Sequence, residues 1–250
     1  PVLFFSVTAL GILSIVTIYG AVDNFGMSKL KMQVAMFLFG SVATVVIATL
    51  DFRVIVDKLW LPFFIGSVLL LGITLIWGKS GVSMETGNKS WLKIPIIGLM
   101  IQPSEFVKFA FICTFSKHLF TVRDRINHPR SVAGLALHAG IIVALILKSG
   151  DLGVALVYLA IIAMMLFCAG LHLGYFGAGT VALVLLSPYL WEKLEFYQQR
   201  RIIVGFNPEL DPQGKGYQPL LSRRAISHGG LFGRGLFSGG YYEVLDASHT

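Results

Sequence analysis

Charge is what this sequence has least of. Asp, Glu, Lys and Arg together make up 13% of its 250 residues, against about a quarter in an average soluble domain, which argues against an ordinary soluble globular fold. Cysteine is almost absent as well. Cys113 and Cys168 sit in apolar segments with no metal-ligand spacing and read as packing residues. The sequence contains no HExxH, CxxC or GxSxG, and Gly229-Gly230-Leu231-Phe232-Gly233-Arg234-Gly235 lacks the Gly-Lys-Ser/Thr ending of a Walker loop. No internal repeat stands out. No basic flank precedes Val2–Ala21, so that segment reads as a truncated first membrane span rather than a cleaved signal peptide.

What the chain has instead is apolar length. It is 55% hydrophobic, with a mean hydropathy of +0.76. A hydrocarbon core of roughly 30 Å needs about 20 apolar residues to cross it. Val2–Ala21, Met32–Leu50, Leu59–Trp77, Pro103–Leu119, Ser131–Leu147, Leu152–Gly170 and Leu173–Trp191 are runs of that kind. Without water in the bilayer, helices are the natural way for such segments to satisfy their backbones. The expectation is an all-α integral membrane protein, a polytopic bundle with seven spans over residues 1–191.

Orientation does not follow from charge. The net charge is +7, and alternate sides of the seven-span arrangement carry six basic residues each. Arg53, Lys58, Lys117, Arg123, Arg125 and Arg130 fall on one side. Lys29, Lys31, Lys79, Lys89, Lys93 and Lys148 fall on the other. The positive-inside rule has no asymmetry to act on.

Two connections are long. Gly78–Ile94 is polar and Gly-rich, and Pro95–Ile101 after it is apolar but too short to cross, as a re-entrant or interfacial segment would be. It leads into Pro103, which costs no hydrogen bond in the first turn of a helix, while Ser104 and Glu105 suit the positive end of the helix dipole. The other is the tail, Glu192–Thr250. Its seven arginines and lysines face six acidic residues among many glycines. Paired arginines and glycines that admit close backbone approach suggest a site for an anionic headgroup. A flexible amphipathic loop on the lipid surface accounts equally well for the composition.

Few residues inside the apolar runs carry chemistry. Glu105 and Lys108, at i and i+3, share a helix face and can neutralise each other. They are either a packing ion pair or a device that positions a charged substrate or a neighbouring loop, since ionisable groups at membrane depth are costly unless paired or functional. Asp151, in the hinge Lys148-Ser149-Gly150-Asp151-Leu152-Gly153, suits an N-cap and can also face a polar cavity. His138 reads as a hydrogen-bonded packing residue rather than a proton relay. Tyr197-Gln198-Gln199-Arg200-Arg201 follows the seventh run at the interface, where Tyr and Arg anchor many membrane proteins.

Together these pieces resemble the SEDS family, the RodA/FtsW/SpoVE peptidoglycan glycosyltransferases. The resemblance is carried by Ser90-Trp91-Leu92, by Ile101-Gln102-Pro103-Ser104-Glu105-Phe106-Val107-Lys108, and by Asp151-Leu152-Gly153 with Ala155. It continues through Tyr197-Gln198 and Arg201, Asp211-Pro212, Gly216-Tyr217-Gln218 and the glycine run from Gly229 to Gly235. The Asp211-Pro212 to Gln218 stretch leans toward RodA. The resemblance implies a multi-pass enzyme of the bacterial cytoplasmic membrane with about ten helices, seven of them in this sequence. It makes Glu192–Thr250 part of a large extracytoplasmic loop and lipid II the substrate. A class B penicillin-binding protein is the implied partner, and nucleic acid is not one. The family's proposed catalytic aspartate is expected directly after His249-Thr250, so the sequence as given is expected to be inactive. Departures fall at Ser149-Gly150 and Val154 around the Asp-Leu-Gly motif, at Leu221 ahead of Ser222, and at Ser227-His228.

The implied chemistry is inverting glycosyl transfer. A carboxylate base deprotonates an acceptor hydroxyl, which attacks the donor's anomeric carbon as lipid diphosphate leaves. The base contributes roughly 10²–10⁴-fold, so the departing diphosphate also needs electrostatic stabilisation. Arg200, Arg201, Arg223, Arg224 and Arg234 are candidates, with Arg201 first because it also matches the family pattern. Gln218, Ser222, Gly229 and Gly230 complete the expected substrate surface. Glu105, Lys108 and Asp151 are assigned to shaping the cavity. A divalent cation such as Mg2+ can share the leaving-group role, although the sequence shows no complete ligand set. The rival readings are a lipid-linked-precursor flippase and a membrane scaffold for the transpeptidase.

Overall fold

The computed structural model describes residues 2–20, 22, 26–79, 89–93, 100–231 and 233. Among them, long helices follow one another as α1 (Val2–Gly20), α2 (Met27–Thr49), α3 (Phe52–Trp77), α4 (Pro103–Val122), α5 (Pro129–Lys148), α6 (Leu152–Cys168) and α7 (Leu173–Lys193). Two shorter helices come after them, α8 (Phe196–Phe206) and α9 (Tyr217–Gly229). The described strands are short: β1 (Leu92–Lys93) pairs antiparallel with β2 (Met100–Ile101), Leu92 opposite Ile101. By length and composition α1, α2, α3, α5 and α7 are able to cross a membrane. The 17-residue α6 is apolar but shorter, and α4 carries Glu105, Lys108 and Lys117.

Side chains at the boundaries explain where these helices begin. Asp51, His128, Asp151 and His172 each accept a backbone N–H of the turn they open, from Arg53, Arg130, Val154 and Gly174. Pro103 and Pro129 occupy first-turn positions, where a missing N–H costs nothing. Because the caps lie outside the apolar runs, several helices extend past them. α2 starts at Met27 rather than Met32, and α3 at Phe52 rather than Leu59.

The chain divides into two compact units, one of residues 51–194 and one of residues 1–50 with 195–250. In the first, α4 is central and packs on α3, α5 and α6. Phe111 and Phe115 of α4, Leu135, Ile142 and Ile146 of α5 and Tyr158 of α6 belong to one core cluster that includes Leu71 of α3. Phe106 and Phe109 stand exposed on α4, as apolar side chains do when lipid is the solvent. In the second unit α1 packs on α2, with the Gln33 amide donating to Ser14 Oγ at 2.9 Å. Among the described residues of the tail, α8 and α9 occupy a stretch that composition alone left open to a flexible loop.

Of the apolar patch Pro95–Ile101, only Met100 and Ile101 lie within the described residues, and they form β2.

Candidate functional site

One group of polar features in the first unit gathers at the N-termini of α4 and α6. Gln102 is extended ahead of Pro103, with φ −101° and ψ 104°, and does not cap its own helix. Its amide Nε2 donates to Asp151 Oδ2 at 2.8 Å. The other oxygen, Oδ1, accepts the Val154 N–H at 3.1 Å and so caps α6. One carboxylate thus joins two helix starts, where partial positive charge from both dipoles favours an anion. Two turns further along α6, Tyr158 donates through Oη to the Ser104 carbonyl at 2.7 Å. On the other flank the Lys89 N–H donates to the Ser149 carbonyl at 2.9 Å, and Lys79 pairs with Trp91. The Ser90 and Ser104 hydroxyls are buried and have no partner among the described residues.

Glu105 and Lys108 form the expected pair. Lys108 Nζ donates to both carboxylate oxygens at 2.9 Å. The pair is not in the core: the Glu105 side chain is 52% exposed and that of Lys108 21%. Glu105 sits in the first turn of α4, where a negative charge is favoured, and it holds the ammonium on the outer side of the helix start.

The tail has its own arrangement. Glu195 and Gln198 form a capping box that starts α8. Arg200 Nη2 lies 3.2 Å from Asp211 Oδ2, which also accepts the Lys215 N–H at 3.2 Å. Lys215 Nζ reaches back to the Tyr197 carbonyl at 3.4 Å and lies over the Tyr197 ring. Arg200 is therefore committed to the turn between α8 and α9. Arg201 is exposed, and among the described residues its guanidinium has no ion pair or hydrogen bond. On α9, Gln218, Ser222 and Gly229 share a partly buried stripe, while Arg223 and Arg224 stand exposed. Gly230 ends the helix at φ +59°, a conformation glycine adopts readily. Arg234 lies outside the described residues.

The sequence motif contained Gln102 but gave it no role, because its partner is 49 residues away. Tyr158 was missed altogether. A lone tyrosine in an apolar helix carries a hydroxyl that needs a partner, and that was the available signal. His138 is buried among Phe64, Phe111 and Phe115, with Nε2 3.3 Å from Thr114 Oγ1 and Nδ1 3.2 Å from His118 Nδ1. Among the described residues no group of three or more His, Cys, Asp or Glu side chains is placed to hold a metal ion.

The family model for the FtsW/RodA/SpoVE group, described as "Cell cycle protein", matches residues 1–250. The chain belongs to this family. It is 34% identical over 256 residues to a probable peptidoglycan glycosyltransferase FtsW of Trichlorobacter lovleyi, covering 95% of this chain and 63% of the relative. It is 33% identical over 177 residues to stage V sporulation protein E of Bacillus subtilis, covering 67% of this chain and 44% of that protein. A solved structure described as "Structural coordination of polymerization and crosslinking by a peptidoglycan synthase complex" overlays with a TM-score of 0.73 at 29% identity. That overlay covers 89% of this chain and 63% of the other. The rod shape determining protein RodA of Thermus thermophilus overlays at 0.56 with 26% identity, covering 72% and 58%. The chain thus spans less than two thirds of the length of these FtsW/RodA/SpoVE proteins. Family membership and the apolar helices together make it a multi-pass bacterial membrane protein.

Proposed function

We propose that this chain is part of a peptidoglycan glycosyltransferase that polymerises lipid II with inversion at the anomeric carbon. The observation that carries the reading is the Gln102–Asp151 bond between the starts of α4 and α6, with the Glu105–Lys108 pair one turn on. These are the residues of the family motif, in a chain whose relatives are named peptidoglycan glycosyltransferases. In this reading all seven long helices, α4 and α6 included, lie in the membrane, and the tail from Glu192 belongs to the extracytoplasmic side.

The carboxylates described here support the reaction without performing it. Glu105 is engaged by Lys108, and Asp151 by Gln102 and the α6 cap. Both are engaged in holding helix starts, so in this reading neither is assigned to proton abstraction and the base is a carboxylate elsewhere in the protein. Asp151 and Gln102 hold two helix starts at a fixed spacing, and the Glu105–Lys108 pair shapes and polarises the edge of the cavity. Arg201, exposed and unpaired among the described residues, suits the departing diphosphate, while Arg200 fixes the α8–α9 turn. A class B penicillin-binding protein is the proposed partner, in keeping with the polymerisation and crosslinking complex named above.

The test is polymerisation of lipid II by purified full-length protein, with product strands resolved on gels. Arg201→Gln should lower kcat by on the order of 10²-fold, as expected when a group stabilising transition-state charge is lost. Transport of the lipid across vesicles without polymer, unaffected by Arg201→Gln, would replace this reading with that of a flippase.

A further inference from the structure

At the other end of the first unit, away from Glu105 and Asp151, two cavities of about 430 Å³ each share His118 and Gly134. The inner one runs between α3, α4 and α5 and is walled by Trp60, Leu61, Leu137 and Ile141. The outer one opens at the α4–α5 turn and is lined by Arg125, His128, Arg130 and Ser131, with no acidic residue in its wall. From Arg130 to Ile141 the wall of α5 runs about 16 Å at 1.5 Å per residue. Together they form a cationic patch at the α4–α5 turn that continues into an open, largely apolar groove, with Lys117, His118, Thr121 and His138 as its polar side chains.

The mouth is built for an anion. Among the described residues Arg125 and Arg130 have no ion pair. Neighbouring Arg123 differs, since it lies beside Asp124 at 3.6 Å and over the Phe120 ring at 4.5 Å. Ser131 is buried, 7% exposed as a residue, lines the cavity and makes no side-chain hydrogen bond among the described residues. It sits in the first turn of the 20-residue α5, whose dipole adds positive charge. The Lys117–Asp57 ion pair fixes α3 against this end of α4, so the apolar wall and the cationic mouth are held in one register.

We propose that this site binds an anionic phospholipid, with its phosphate at Arg125, Arg130 and the start of α5 and an acyl chain between α3, α4 and α5. Charge at the mouth selects the headgroup, and the apolar depth excludes a free anion as the preferred occupant. The proposal rests on the bundle's lying in a membrane and not on the glycosyltransferase reading.

Native mass spectrometry of the full-length protein in detergent tests it. The probes are phosphatidylglycerol, phosphatidylcholine with the same acyl chains, and inorganic phosphate. Phosphatidylglycerol should be retained in preference to phosphatidylcholine. Arg125→Gln with Arg130→Gln should lower its retention by on the order of tenfold, to the phosphatidylcholine level. Arg123→Gln, which removes charge from the same turn but not from the cavity, should leave it unchanged. Gly134→Leu should reduce retention by filling the shared wall; a Cβ there meets only the His118 ring, at 3.7 Å. Should that variant lose stability, the arginine variants, at exposed positions, still decide. Equal retention of the two lipids, an Arg123→Gln effect as large as that of Arg125→Gln or Arg130→Gln, or displacement by inorganic phosphate at equal concentration would each overturn the proposal.

Discussion

Gln102 and Asp151 meet at 2.8 Å across 49 residues of sequence, and their bond closes the gap between the first turns of α4 and α6. Asp151 is an N-cap and a cross-helix acceptor at once, and these two duties respond differently to substitution. Alanine removes both. The loss of the cap and the orphaning of the Gln102 amide together should cost about 2–4 kcal/mol. Asparagine still caps through its one amide oxygen, and its NH2, standing where Oδ2 was, donates to Gln102 Oε1 once the Gln102 amide turns over, so Asp151→Asn should remain within about 1 kcal/mol of the parent. Thermal unfolding in detergent separates the two. If the negative charge also shapes the substrate cavity, Asp151→Asn should lower lipid II polymerisation while leaving the melting temperature nearly unchanged.

The Glu105–Lys108 pair calls for a double-mutant cycle. Glu105→Gln leaves an ammonium unpaired at the helix start, and Lys108→Met leaves the carboxylate alone beside a favourable dipole. Lys108 is the more enclosed partner, so Glu105→Gln should be the more damaging single change. The double variant should recover part of the loss. Because the pair is partly exposed, the coupling should be small, about 0.5–1 kcal/mol. Polymerisation rate and unfolding free energy measured on all four proteins give the cycle. A coupling near zero would mean the pair does not act as a unit.

The helical content was legible because apolar length in the absence of charge has few other outcomes. Helix starts such as Pro103 and Asp151 were readable from local chemistry. The contacts that assemble the site were not, since no periodicity signals that Gln102 reaches Asp151 or that Tyr158 reaches the Ser104 carbonyl. The tail was the hardest part to read. Glycine and charge left a headgroup site and a flexible surface loop equally open, yet α8 is opened by a capping box and α9 is ended by Gly230. The arginines that looked alike in sequence separate in the structure, with Arg200 bound to Asp211 and Arg201 left unpaired among the described residues.

Tyr158→Phe isolates the second tie between α4 and α6. Tyr158 is fully buried and packs at a tilt against Phe111, with ring centroids 5.5 Å apart. Phenylalanine preserves that packing and removes only the hydroxyl that donates to Ser104. Stability should fall by about 1–2 kcal/mol, the net worth of a buried hydrogen bond with one partner deleted. Unfolding in detergent measures the cost. A change near zero would mean that the Ser104 carbonyl finds another donor.

Gly216 tests whether the turn between α8 and α9 carries the placement of Arg201 and the α9 stripe. Its φ of −80° suits any residue, so the constraint is space. A Cβ there would overlap the Pro208 carbonyl oxygen and lie 2.7 Å from the Asp211 carbonyl oxygen. Those are backbone atoms, and the Gly216 N–H donates to the same Asp211 carbonyl at 2.9 Å, so the turn has to open rather than adjust. Gly214→Ala is the control. Its Cβ would press only on the Asp211 side chain, which can rotate at the cost of its contacts to Arg200 and Lys215. Gly216→Ala should therefore destabilise the α8–α9 segment by at least about 2 kcal/mol, and Gly214→Ala by less. Limited proteolysis between Phe196 and Gly229 reads this locally: Gly216→Ala should speed cleavage there while leaving cleavage within residues 103–168 unchanged. Equal protection of the two variants would show that the turn accommodates the added carbon, and Gly216 would then have no part in holding Arg201.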